Sequence, residues 1–397
     1  MLNAVCVLGS ATPSIESYHN AGQGKYKLLK LVRRAQDAKL PPVRIVDMRK
    51  PIQRAAQMAE ASSLSPDLKA AIDLRLSKKQ GVVLLQNRRG FSTYLGCSKC
   101  GEVVMCPNCA VSLTWHQQGN RMQCHYCGFM QKKSETCPTC GSEKMYLGGI
   151  GTERVEEELQ KYFPDIRIAR MDLDTTSKRG SFEKLLRSFA DGETDVLLGT
   201  QMVAKGLDFS RVTLVGVINA DTSLCLPDFR SGERTFQLLT QVSGRAGRTE
   251  ELAGEVLVQT MQPGHPAVLF ASKHDYEGFY EKELEERRDT LYPPYSRIIL
   301  VEFRGANESS VKEKARAFTT LIPQAESYYT ILGPAEPAIK KLRGEFRQHL
   351  VFKNLKTEDA GGDKMRRLLS GAMEQYQKRF ASRAVTVTID VDVQGVL

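Results

Sequence analysis

Short apolar runs and amphipathic stretches alternate through the middle of the chain. Gly81-Val82-Val83-Leu84-Leu85 is apolar throughout and predicts a strand buried on both faces. Asp195–Gly199, Val212–Ile218 and Gly254–Gln259 repeat that pattern, and Ile166–Met171 predicts a further strand. Helical spacing falls between them. Ser65–Lys79 carries Ser65 as N-cap and Pro66 in the first turn, and Thr152–Phe163 is acidic and amphipathic. Ser181–Ala190 and Arg234–Val242 complete the set. Strands alternating with helices imply a parallel sheet covered on both faces. Upstream, Ala4–Leu8 reads as a buried strand entering the polar turn Gly9-Ser10-Ala11-Thr12. The basic stretch Lys25–Pro51, with Pro41-Pro42, reads as a connecting segment.

From about His265 the rhythm changes. A charged helix is expected over Tyr276–Leu291, followed by a turn at Tyr292-Pro293-Pro294-Tyr295. Then come a strand at Ile298–Arg304, a helix at Ser309–Ile322 and strands at Tyr329–Leu332 and His349–Lys353. A helix at Lys364–Phe380 and a strand at Val385–Val393 close the series. This order suggests a small α+β domain with a split βαβ layout.

Ten cysteines interrupt the first pattern. Cys6 and Cys225 stand alone in apolar surroundings and are expected in the core. The other eight form four Cys-x-x-Cys turns: Cys97/Cys100, Cys106/Cys109, Cys124/Cys127 and Cys137/Cys140. One such turn aims two thiolates at one ion, and two turns complete a tetrahedral shell, so two zinc ions are expected. Gly101, Gly128 and Gly141 follow three of the turns and allow the positive φ of a tight knuckle. Joining the first two turns is sterically tight, because only five residues separate them. Ala110–Gln123 is long enough for a hairpin, so the second and third turns can meet, with the first and last closing around the base. His116 and His125 are weaker ligand candidates: His125 sits inside a turn and would point away from the ion.

Composition adds little to this picture. Hydrophobic and charged contents of 41% and 26% are ordinary for a globular protein. No apolar run of about 18 residues suggests a membrane span. The start of the chain has no basic stretch leading into an apolar core, so no secretion signal is read and a cytoplasmic location is expected. Reduced cytosolic thiols favour metal over disulfides. A formal net charge of +10 fits a polyanion partner such as nucleic acid.

Three segments carry chemistry by their conjunction. Gly9-Ser10-Ala11-Thr12-Pro13 ends the first apolar run. Leu198-Gly199-Thr200-Gln201-Met202-Val203-Ala204-Lys205-Gly206-Leu207-Asp208-Phe209 follows a strand. Gln241-Val242-Ser243-Gly244-Arg245-Ala246-Gly247-Arg248 ends a helix, with arginines spaced to reach the γ-phosphate of a nucleotide held by a neighbouring domain. In this order they resemble motifs III, V and VI of superfamily 2 helicases. With the four-turn zinc module between them, and segments such as LLQNRRGFSTYLGCSKCG and PDFRSGERTFQLLTQVSGRAGR, the chain is similar to the PriA family of primosomal helicases.

The resemblance implies an α/β fold: a RecA-like helicase lobe with an inserted two-zinc ribbon module and a C-terminal α+β domain. Residues 1–20 would end the first helicase lobe and 21–64 would connect. Residues 65–264 would form the second lobe, with 97–141 inserted as the zinc module, and 265–397 would bind DNA and partners. It implies an ATP-dependent 3′→5′ DNA helicase of replication restart, acting with magnesium on branched forks and single-stranded DNA. Single-stranded DNA-binding protein, primosome proteins and the replicative helicase would be partners. Arg245 and Arg248 would face ATP, and Gly206 and Asp208 would lie near the nucleotide. Thr200 and Gln201 would touch the DNA backbone or the lobe interface, while Ser10 and Thr12 would couple hydrolysis to movement. The family's zinc pairing agrees with the nested one. Lys340–Arg347 interleaves basic and aromatic residues, which suits phosphates and bases.

No Gly-x-x-x-x-Gly-Lys-Ser/Thr and no Asp-Glu-x-His occurs in the sequence, although the family carries both. The chain is therefore expected to correspond to a C-terminal part and to show no ATPase or unwinding alone. The alternative is a zinc-dependent DNA- and protein-binding module without catalysis.

Overall fold

The computed structural model describes residues 4–31, 40–50, 62–86, 93–117, 119–148, 154–171, 181–200, 209–246, 254–324, 326–380 and 382–396. The alternating pattern folds into six parallel strands: β1 (Val43–Asp47), β2 (Gly81–Leu85), β8 (Ile168–Met171), β9 (Val196–Gly199), β10 (Val212–Val217) and β11 (Glu255–Thr260). Their spatial order is β1-β11-β10-β2-β9-β8. Every residue of β2, β9 and β10 is buried, as expected for apolar strands covered on both faces. Val82 and Leu84 pack into one core and Val83 and Leu85 into the other, the period-two alternation of a strand between two layers.

The helices of this lobe are α2 (Pro66–Ser77), α3 (Arg154–Tyr162), α4 (Ser181–Ala190), the short α5 (Asp221–Leu224) and α6 (Ser231–Ser243). Ser65 caps α2 as expected, its hydroxyl accepting from the amide of Leu68.

Three expectations are corrected near the start. Ala4–Leu8 forms no strand, and Val5, Val7 and Leu8 are exposed by 91%, 81% and 74%. Cys6 is exposed with them, while Cys225 is buried as expected. The run pairs with no strand among the described residues. Conversely, the supposed connecting segment contributes β1, whose Val43–Asp47 pairs with Val256–Thr260 of β11. Arginine and aspartate within β1 hide its strand character; an edge strand tolerates them because one side faces solvent. Between these segments, α1 (Ile15–Gly22) packs Ile15 into the same core as Phe236 and Phe279.

Between β2 and α3 the chain forms a second sheet, of order β6-β5-β4-β3-β7: β3 (Tyr94–Cys97), β4 (Thr114–His116), β5 (Arg121–Gln123), β6 (Met130–Lys132) and β7 (Met145–Gly148). The expected hairpin is β4–β5, with Trp115 opposite Met122. The base is β3 paired antiparallel with β7, so the ribbon leaves and rejoins the lobe at one place.

After α7 (Pro266–Ser272) and α8 (Tyr276–Asp289), the C-terminal domain runs β12 (Ser296–Gly305), α9 (Glu308–Thr319), β13 (Tyr329–Ala335), β14 (Lys341–Leu342), β15 (Glu345–Leu355), α10 (Asp363–Arg379) and β16 (Val385–Val391). Its sheet order, β13-β15-β12-β16 with all pairs antiparallel, is the split βαβ arrangement. Among the described helices, none is long and apolar enough to cross a membrane.

Candidate metal centres and motor motifs

The eight clustered cysteines come together as two sets of four. One is Cys97, Cys100, Cys137 and Cys140; the other is Cys106, Cys109, Cys124 and Cys127. The nested pairing therefore holds. Sulfur separations are 3.7 Å for Cys97–Cys140, 3.6 Å for Cys100–Cys137 and 3.7 Å for Cys106–Cys127. A tetrahedron with zinc–sulfur bonds of about 2.3 Å has edges of about 3.8 Å, so both sets fit zinc. In each of three knuckles the glycine amide donates back to the first cysteine's carbonyl: Gly101 to Cys97, Gly128 to Cys124 and Gly141 to Cys137. All three glycines have positive φ. The fourth knuckle reaches the same region with Ala110 at φ 48°, which the sequence did not signal. Amides of Tyr126 and Phe129 point at the sulfurs of Cys124 and Cys127.

Thiols this close cannot all ionise without a cation among them. The Cys106 thiol pushes those of Cys109 and Cys124 up and draws that of Cys127 down. A divalent ion at each set would remove that conflict, and four thiolates around it would leave a net charge of about −2 per site.

Neither histidine joins a set of four. His125 donates from Nδ1 to the Glu336 carbonyl at 2.8 Å, and its Nε2 lies 3.2 Å from His116 Nε2. Burial holds His125 down at about 4.

The second set is packed beneath the C-terminal domain. Cys106, Cys109 and Cys124 share one apolar cluster with Tyr292, Ile298, Val351 and Val393. Tyr292 Oη donates to the Cys109 carbonyl at 2.8 Å, and His349 Nε2 lies 2.6 Å from the His125 carbonyl. Lys353 sits 3.6 Å from the centre of the Tyr292 ring and donates to the Thr290 carbonyl at 2.7 Å. Burial pulls its ammonium down to about 8, opposed by Cys109.

The motor motifs are described only in part. Gln201, Gly206, Asp208 and Arg248 lie outside the described residues. Thr200 follows β9, and its amide reaches the Met171 carbonyl at 3.4 Å. Arg245 lies just past α6, its amide donating to the Val242 carbonyl. Ser10 is exposed, with its hydroxyl accepting from the Thr12 amide at 3.1 Å. Thr12 is buried, and Gln237 of α6 donates to its carbonyl at 3.4 Å. The helix that precedes Arg245 thus touches the Ser10–Thr12 segment, Gln237 and Thr12 being 225 residues apart in sequence.

Sequence reasoning missed a buried ion cluster beside that contact. Arg287 of α8 donates to Glu283 at 2.8 Å, to Glu233 of α6 at 2.7 Å and to the Pro293 carbonyl at 3.1 Å. Glu233 also accepts from the Ile15 amide at 3.2 Å. Glu16 of α1 bonds Arg230 at 2.5 Å. Burial pushes the Glu283 carboxyl up to about 7 against the pull of Arg287. One signal was available: Glu283 and Arg287 stand at helical spacing from Phe279, on one face of the charged helix α8. Arg347 also differs from the basic-face expectation. It is buried, with Nε bonded to Glu302 at 2.6 Å. Lys340, Lys341 and Arg343 of the β14–β15 hairpin remain outside.

Comparison with known proteins agrees with these features. Residues 106–132 match the family model of the PriA DNA helicase Cys-rich region. Residues 142–250 match the helicase conserved C-terminal domain, and residues 288–394 the primosomal protein N C-terminal domain. The replication restart protein PriA of Bacillus subtilis (strain 168) is 43% identical over 389 residues, covering 97% of this chain and 47% of the relative. That of Synechocystis sp. (strain PCC 6803) is 44% identical over 358 residues, covering 87% and 42%. That of Chlamydia pneumoniae is 40% identical over 357 residues, covering 89% and 47%. The chain spans about half the length of these relatives.

Proposed function

Because the chain belongs to the family of PriA replication restart proteins, we propose that it supplies the second motor lobe, the zinc ribbon and the C-terminal DNA- and partner-binding domain of an ATP-dependent 3′→5′ DNA helicase. Its place would be at stalled, branched forks in the cytoplasm, with single-stranded DNA, single-stranded DNA-binding protein, primosome proteins and the replicative helicase as partners.

The observation that carries the reading is the contact of Gln237 with the Thr12 carbonyl. It joins α6, the helix that leads into Arg245, to the Ser10–Thr12 segment, so a displacement of one would be felt by the other. Nucleotide would be held by a phosphate-binding loop and magnesium carboxylates of a first motor lobe. Arg245 and Arg248 would offer guanidinium groups to the charge that develops on the transferred phosphoryl group. Gly206 and Asp208 would line the nucleotide, and Thr200 and Gln201 the DNA backbone. Ser10 and Thr12 would pass the change between lobes.

By itself the chain would bind fork DNA with a steep salt dependence and hydrolyse no ATP. The test is DNA-stimulated ATP hydrolysis by the purified chain, alone and with a polypeptide carrying the Walker loop. Hydrolysis by the chain alone would overturn the division of labour. Absence of salt-dependent fork binding would overturn the DNA-binding role.

A further inference from the structure

We propose that the two metal sites fasten the ribbon to different neighbours: the Cys97/Cys100/Cys137/Cys140 site to the motor lobe, and the Cys106/Cys109/Cys124/Cys127 site to the C-terminal domain.

Each site presents its own knuckle backbone to one neighbour. At the first site, Arg49, just past β1, donates from Nη1 to the Cys100 carbonyl at 3.1 Å while both its Nε and Nη2 are held by Asp47. The next residue, Gly101, lies so close to the end of β11 that a Cβ there would stand 2.1 Å from the Met261 carbonyl oxygen. At the second site, Tyr292 holds the Cys109 carbonyl, His349 faces the His125 carbonyl, and Gly128 packs near Ala335. These acceptors and close approaches exist only while the knuckles keep their turns, and the metal keeps the turns. Some contacts cross the division: Ser112, three residues past Cys109, donates to the Cys225 carbonyl of the motor lobe at 2.7 Å, and Phe229 of that lobe packs against the apolar cluster that holds Cys106, Cys109 and Cys124. The ribbon would therefore stay seated on the lobe, through β3, β7 and the first site, when the second site is lost. The C-terminal domain would lose its hold on the ribbon.

Linkage makes this measurable. If an occupied site favours docking, docking must tighten the binding of that ion, and only that ion, and the tightening is read here as slower release. The experiment follows zinc release to a chromogenic chelator from the 397-residue chain in two backgrounds. Cys127→Ser keeps the first site and Cys100→Ser keeps the second, each expected to hold one zinc per chain. Arg49→Ala should speed release at least threefold in the Cys127→Ser background and leave the Cys100→Ser background unchanged. Tyr292→Phe, which removes only a hydroxyl, should do the reverse. Retention of both zinc ions by the two contact variants with all cysteines intact establishes that they fold. The proposal is overturned if either contact variant speeds both backgrounds alike, if neither changes any rate, or if losing one site empties the other.

Discussion

Arg287 Nη2 and Glu233 Oε2 lie 2.7 Å apart, and both side chains are almost wholly withdrawn from solvent. The pair joins α8 to α6, and Glu16 brings α1 to the same guanidinium. Three carboxylates around Arg287 and Arg230 make a cluster that tolerates the loss of a cation poorly. Arg287→Met keeps most of the volume but leaves Glu233 and Glu283 buried without their partner. It should lower stability by about 3–5 kcal/mol, read as a drop in the denaturant midpoint with an unchanged slope. A change below about 1 kcal/mol would show that the carboxylates find other partners.

Stability should fall on mild acidification. Burial holds His265 and His349 down to about 4, below the ordinary value of 6.5. Between those values the unfolded chain binds protons that the folded chain refuses, so their contribution is present above about pH 6.5 and lost towards pH 4. The gap between 6.5 and about 4 corresponds to about 3 kcal/mol per group at most. Glu283 runs the other way, because its raised carboxyl costs stability as pH rises from about 4.5 to 7. Urea unfolding from pH 7.5 to 5 should show the acid limb, and His349→Gln should flatten it.

The knuckle glycines are not equivalent. Gly141→Ala meets nothing within 4 Å and should cost only the left-handed backbone penalty of about 1–2 kcal/mol. Gly101→Ala adds the collision with the Met261 carbonyl and should cost clearly more. Ala110→Gly relieves a positive φ and should stabilise the chain by about 1 kcal/mol. Thermal unfolding of the three variants orders them; equal effects at Gly101 and Gly141 would sink the argument.

Arg245→Ala should reduce kcat for DNA-stimulated ATP hydrolysis by a factor of about 10³ or more when the chain is combined with a Walker-loop polypeptide. Zinc content and fork binding should stay as they are. Loss of fork binding without loss of turnover would assign Arg245 to DNA instead.

Residue type and spacing by themselves determined the zinc ligands, because Cys-x-x-Cys fixes local geometry within a few bonds and loop length excludes the tight pairing. They also determined the buried strands β2, β9 and β10, whose runs have no polar face to misread, and the split βαβ domain, whose periods change cleanly from two to 3.6. Tertiary structure decided what depends on a distant partner. Val43–Asp47 became a strand because β11 offered it an edge, whereas the more apolar Ala4–Leu8 pairs with no described strand and stays exposed. Arg347 looked basic and available, yet Glu302 drew it inward. Arg287 and Glu233 are 54 positions apart, and no local signal marks them as a pair. Local chemistry could name the metal ligands; only packing could say which neighbour each metal site holds.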